Sequence, residues 1–130
     1  MAMAKRILVA DDESHILHVV SLKLSNAGYQ VVTASDGQEA LELASAERPD
    51  LLITDYHMPQ LSGLELCQRL QQDPATSGIP TVMLTARGYA LEPEDMERSG
   101  IRCMLSKPFS PRQLLTTVNE MLGMPANVAA

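Results

Sequence analysis

The chain has 130 residues, 45% of them apolar but only 3% aromatic, and a formal net charge of -6. That size and apolar content suit one domain with a real core and argue against a disordered linker, while the acidic balance argues against a general nucleic-acid binder, which would present a basic face. No apolar run approaches the roughly 20 residues of a membrane helix, and the opening "MAMAKRILVADDE" lacks the small-residue cleavage site of a secretory signal.

Strands and helices are predicted in alternation. The apolar run Ile7 to Ala10 reads as a strand. Residues 14 to 27 then place Ile16, Val20, Leu24 and Ala27 on one helical face, with Gly28 able to end that helix. A second strand runs from Val31 to Ala34. Ser35 and Asp36 cap a helix over 37 to 47 that carries Ala40, Leu41 and Ala44 and stops before Pro49. The third strand is Leu51 to Thr54, and a helix over 63 to 72 carries Leu66, Cys67 and Leu70. Thr81 to Leu84 is the fourth strand. In "RGYALEPEDMERSG" few apolar residues recur, so Pro93 is expected as the first residue of a short helix, with Glu94 and Asp95 in its first turn. Ile101 to Leu105 is the fifth strand, and a last helix over 110 to 122 aligns Leu114, Val118, Met121 and Leu122.

Most of the strand runs are continuous rather than alternating, as in parallel sheets covered on both faces. The pattern therefore predicts an α/β fold, a doubly wound parallel sheet. One domain is expected over residues 1–123, with a short frayed tail at 124–130 and no output domain. Cys67 and Cys103 sit in apolar segments without metal-ligand spacing, which predicts reduced core thiols in a cytoplasmic protein.

In an open parallel sheet, ligands gather beyond the carboxyl ends of the strands. Strand one is followed there by Asp11, Asp12 and Glu13, and strand three by Asp55; strand four leads into Thr85 and Ala86, and strand five into Ser106 and Lys107. Taken singly, each has an ordinary reading: helix cap or turn for the acids, surface lysine for Lys107, strand residue for Thr85. Together, three aspartates would repel one another unless a hard divalent cation such as Mg²⁺ resolved the charge. Thr85 and Lys107 then suit an anion held against that cation, a phosphoryl group fits, and a carboxylate can itself be the nucleophile. That reading makes Asp55 an aspartyl-phosphate acceptor.

The motifs "ILVADDE", "LLITDYHMPQLSG", "VMLTAR" and "SKPF", in that order, resemble those of bacterial response-regulator receiver domains, and the resemblance covers about residues 4 to 123. It implies a flavodoxin-like (βα)5 sheet of order 2-1-3-4-5. It also implies phosphorylation of Asp55, with Mg²⁺ (or Mn²⁺) held by Asp11, Asp12, Asp55 and the backbone carbonyl of His57. Lys107 and Ala86 would bind the phosphoryl group, Thr85 would move toward it, and the Lys107-Pro108 bond would be cis. His57 and Arg87 would tune the phosphoryl lifetime. The implied phosphoryl source is a sensor histidine kinase or a His-phosphotransfer protein. No direct DNA binding and no membrane contact are expected, and the activity is signalling rather than enzymatic beyond the domain's own phosphorylation and dephosphorylation.

The sequence departs from the family at Met104, where a Tyr or Phe commonly serves as the switch residue. Met is flexible and apolar and can bury itself but offers no hydroxyl or ring. With the Pro93 helix, this leads to the expectation that the switch is read through loop ordering around residues 86 to 93. Two other readings stay open. One is a constitutive receiver-like interaction module. The other is a phosphoaspartate hydrolase of the haloacid-dehalogenase type, which needs a carboxylate where this chain has His57.

Overall fold

A computed structural model describes residues 4–86 and 91–123. The five apolar runs form strands β1 (Arg6–Ala10), β2 (Gln30–Ala34), β3 (Leu51–Asp55), β4 (Thr81–Thr85) and β5 (Ile101–Ser106). Every pairing is parallel and the order is β2-β1-β3-β4-β5. The helices between and after them are α1 (Ser14–Asn26), α2 (Gly37–Glu47), α3 (Gly63–Gln71), α4 (Pro93–Arg98) and α5 (Pro111–Met121).

Successive strand residues serve opposite faces, so the continuous runs build two cores. Ile7, Val9, Leu51, Ile53, Val82 and Leu84 pack with Val20 and Leu24 of α1 and Leu114, Leu115 and Val118 of α5. On the other face Leu8, Ala10, Leu52 and Met83 meet Ala40 and Ala44 of α2 and Leu66, Cys67 and Leu70 of α3. Burying a Leu, Ile or Val side chain fully contributes about 1.5–3 kcal/mol, so these two layers hold the sheet as a rigid base for its carboxyl edge.

Local chemistry sets the helix ends. Asp36 accepts from the Glu39 N–H at the start of α2, and Ser62 and Glu65 form a reciprocal capping box on α3, each worth about 1 kcal/mol. Pro93 is the first residue of α4, with Glu94 and Asp95 in the first turn. That helix buries none of its residues fully.

Two expectations need correction. Cys67 is a buried free thiol, its pKa pushed up to about 12 by burial. Cys103 is also free but only half-buried, because β5 is the edge strand of the sheet formed by the described residues. Asp55 is the last residue of β3 and not the first residue beyond it, since the Tyr56 N–H still bonds to the Leu84 carbonyl at 2.8 Å. The expected tail at 124–130 lies outside the described residues.

Candidate functional site

Strand register brings the polar residues together. Ala10 pairs with Thr54, so Asp11, the next residue, comes beside Asp55, the next residue of β3. Asp55 pairs with Leu84, and Thr85 pairs with Ser106. The Lys107 N–H then donates to the Thr85 carbonyl at 2.8 Å, which fixes the lysine's backbone at the same edge. The carboxylates of Asp11, Asp12 and Asp55 each offer an oxygen, and these atoms lie within 4.8 Å of one another. Asp11 is fully buried and Asp55 is 5% exposed.

Lys107 reaches into this cluster. Its Nζ lies 3.1 Å from Asp11 Oδ2, 3.3 Å from Glu13 Oε1 and 3.5 Å from Asp55 Oδ2. Glu13 is the residue whose part the sequence did not reveal. As the third acid of "DDE" it reads as a cap residue of α1, yet its side chain makes no cap hydrogen bond and contacts Lys107 instead. Its backbone N–H donates to Asp11 Oδ1 at 2.9 Å.

Burial pushes the pKa of both Asp11 and Asp55 above the ordinary carboxylate value, and the charge of Asp11 raises Asp55 further, against the pull of Lys107. For Lys107, burial works to lower the pKa, but the hydrogen bond and charge of Asp11, with Asp55 and Glu13, hold it above the ordinary lysine value. Burial thus raises the two acids, and the surrounding carboxylates raise the lysine, whose single ammonium faces several acids. A hard divalent cation would supply the compensating charge, and the oxygen donor set of Asp11, Asp12 and Asp55 would suit Mg²⁺ or Mn²⁺.

The turn after β3 is set by close backbone approach. The Gly63 N–H bonds to the Tyr56 carbonyl at 2.8 Å, and a Cβ on Gly63 would lie 2.2 Å from the Asp55 carbonyl oxygen. On the far side of the turn, a Cβ on Gly37 would lie 2.2 Å from the Leu61 carbonyl oxygen. The start of α3 therefore rests directly on the backbone of Asp55, and the turn is clasped between α3 and α2.

The remaining predicted residues fall as follows. His57 is exposed and lines a shallow opening with Asp12, Glu13, Asp55, Ala86 and Lys107. Its ring meets Tyr56 edge to face at 4.8 Å. The Thr85 hydroxyl is buried and has no hydrogen-bond partner among the described residues. Such an orphan costs about 1–3 kcal/mol unless something outside the fold satisfies it, which fits a site that receives an acceptor group. Lys107-Pro108 is a cis peptide bond. Met104 is half-buried and packs on the α2/α3 face of the sheet, in the cluster that also holds Tyr56, Met58, Leu91 and Met96. Arg87 and residues 88–90 of the 86–93 loop lie outside the described residues.

A sequence model described as the response regulator receiver domain matches residues 7–119. Among curated proteins, the alkaline phosphatase synthesis transcriptional regulatory protein PhoP of Bacillus subtilis is 40% identical over 92% of this chain and 49% of its own length. The DNA-binding dual master transcriptional regulator RpaA of Synechocystis is 39% identical over 90% of this chain and 48% of its own length. The chain thus spans about half the length of the curated relatives it matches. Among solved structures, the chemotaxis response regulator CheY4 of Vibrio cholerae is 34% identical, with a TM-score of 0.83 over 91% of this chain and 98% of that one.

The expectation of no direct DNA binding does not stand. The relatives are transcriptional regulators about twice as long as the matched region, and one is DNA-binding by name. The acidic balance of one receiver-length segment carries no information about the charge of such a protein's remaining half. Among the described residues, no helix is long and apolar enough to cross a membrane.

Proposed function

The chain belongs to the response regulator receiver family, and from that premise we propose that it is a phosphorylation-dependent switch with Asp55 as the acceptor. The observation that carries this reading is the meeting of Asp11, Asp12, Asp55 and Lys107 at one edge of the sheet. In the transfer, an Asp55 carboxylate oxygen forms the new bond to phosphorus. The donor's P–N or P–O bond breaks, and the leaving group departs with the electron pair. Asp11, Asp12, Asp55 and the His57 carbonyl would hold Mg²⁺ or Mn²⁺. That ion, when bound, offsets the carboxylate repulsion and polarises the phosphoryl oxygens. Lys107 supplies a fixed positive charge to those oxygens, and the Thr85 hydroxyl and the Ala86 N–H supply donors. His57 and Arg87, which flank the site in sequence, tune access of water to the acyl phosphate.

The phosphoryl donor is a sensor histidine kinase or a His-phosphotransfer protein acting in the cytoplasm, and residues 1–123 make up the receiver unit. Adding a dianionic group beside Lys107 and Thr85 biases a two-state equilibrium through local charge and hydrogen bonding. Met104 moves with the cluster on its face of the sheet in place of a switching ring. The names of the relatives support transcriptional control as the downstream process. A hydrolase acting on small phosphoesters is disfavoured, because His57 stands where its second carboxylate is needed.

Intact-mass analysis after incubation with acetyl phosphate and Mg²⁺ tests the reading. The wild-type chain is expected to gain one phosphoryl group and Asp55→Asn none. Equal labelling of both would remove Asp55 from the role. A folded, Mg²⁺-binding wild type that takes no label from acetyl phosphate or from a histidine kinase would support the constitutive module instead.

A further inference from the structure

Glu13 lies outside the cation-binding set, yet it holds the one ammonium on which the acceptor depends. Its Oε1 is 3.3 Å from Lys107 Nζ, closer than the 3.5 Å that separates Nζ from Asp55 Oδ2. The Glu13 side chain is 48% exposed and that of Lys107 only 19%. The carboxylate therefore stands on the solvent side of a mostly buried cation. It also borders the shallow opening over Asp55 and the neighbouring apolar cleft of Ile16, Val19 and Phe109. An incoming phosphoryl group meets Glu13 as a like charge at the mouth of the site. Once inside, it must draw Lys107 away from a partner already in place.

Resting on the acceptor reading above, we propose that Glu13 is a positioning residue that competes with the phosphoryl group for Lys107. It shares the ammonium with Asp11 and Asp55 in the unmodified domain and selects among small donors by their charge. In the reaction with acetyl phosphate, an Asp55 oxygen bonds to phosphorus, the P–O bond to the acetyl oxygen breaks, and acetate leaves with the electron pair. With phosphoramidate the P–N bond breaks and ammonia leaves. Acetyl phosphate is mainly dianionic at neutral pH and phosphoramidate mainly monoanionic. Glu13 should hinder the first more than the second, and salt should shrink the difference.

The test compares wild type with Glu13→Gln, which keeps the size and removes the charge. One readout is independent of turnover: the affinity for beryllofluoride, a non-transferable phosphoryl mimic, followed by fluorine NMR in Mg²⁺. An ion pair this exposed corresponds to about a 1.5- to fivefold effect. The variant is expected to bind beryllofluoride more tightly by that factor. It should also label faster with acetyl phosphate, with a smaller gain for phosphoramidate, and the gap between donors should close at high salt. Unchanged or weaker beryllofluoride binding by a variant that melts like wild type would overturn the proposal. So would equal acceleration by both donors at every ionic strength, which would mean that the Glu13 charge does not discriminate between donors. Failure of the acceptor reading has a different signature, since wild type and variant would then both stay unlabelled by every donor.

Discussion

Replacing Gly63 with Ala tests whether the start of α3 positions the acceptor. The added Cβ would lie 2.2 Å from the Asp55 carbonyl oxygen, 3.1 Å from its carbonyl carbon and 3.0 Å from Met83 Sδ. The Met83 side chain can rotate away, but the Asp55 carbonyl belongs to a central strand paired on both sides. Ordinary contact therefore requires about 1 Å of backbone separation, and overpacking of that kind costs about 1–3 kcal/mol. The reduced freedom of the unfolded chain returns less than about 1 kcal/mol. For a domain of this size each kcal/mol moves the melting temperature by about 4 °C, so a fall of about 4–12 °C is expected. The shift falls on Asp55 itself, and misplacement by about 1 Å can cost roughly a hundredfold in rate. Acetyl phosphate labelling should accordingly slow by roughly ten- to a hundredfold. Gly78→Ala is the control, because a Cβ there meets nothing within 4 Å. If Gly63→Ala melted with Gly78→Ala and labelled at the wild-type rate, the claim that α3 seats the acceptor would be refuted.

The raised carboxylate pKa values make Mg²⁺ stabilisation depend on pH. Asp11 and Asp55 hold their protons more tightly when folded. Their contribution thus favours folding below the unfolded carboxylate pKa of about 3.9 and is lost as pH rises through the raised folded values. Mg²⁺ should therefore raise the melting temperature more at pH 7 than at pH 4.5; a larger rise at pH 4.5 would contradict the charge argument. Thr85→Val removes a buried hydroxyl that has no partner among the described residues. In urea melts the unmodified domain should be as stable as wild type or up to about 2 kcal/mol more stable, while beryllofluoride binding weakens about tenfold. A stability loss above about 1 kcal/mol would mean that the hydroxyl is already satisfied in the free protein. Tyr29→Phe removes the 2.5 Å bond from the Tyr29 hydroxyl to Asn119 Oδ1, in a buried pair whose amide nitrogen already lacks a partner. A loss of about 1–3 kcal/mol is expected, and a urea midpoint equal to that of wild type would show that this pair does not tie α5 to the start of β2.

Much of the molecule was legible without coordinates because its signals are local. Continuous apolar runs of four or five residues mark strands covered on both faces, and a Pro or a capping pair marks a helix end whatever the rest of the chain does. Asp36, Ser62 and Pro93 stand at helix starts for that reason. The acids after the first and third runs announced a charged site because carboxylates at strand ends are costly unless something compensates them. The four ordered motifs then tied the site to a family.

Other features depended on distance in space. Glu13 looks the same in the sequence whether it caps α1 or pairs with a lysine 94 residues away, and only the meeting of the first and last strand ends decides between them. The need for glycine at position 63 is likewise invisible locally, since it comes from the Asp55 carbonyl passing beneath the helix start. Leu115 joins the buried core although the helical pattern marked only its neighbours, and Cys103 stays half-buried although its surroundings are apolar. The amino-acid sequence by itself determined the elements, the layers and the sheet edge at which the acids gather, because period and polarity are properties of short segments. Tertiary structure alone decided register, burial and the sharing of one ammonium among three carboxylates, because desolvation and Coulomb energy depend on which distant residues the fold brings within a few ångströms.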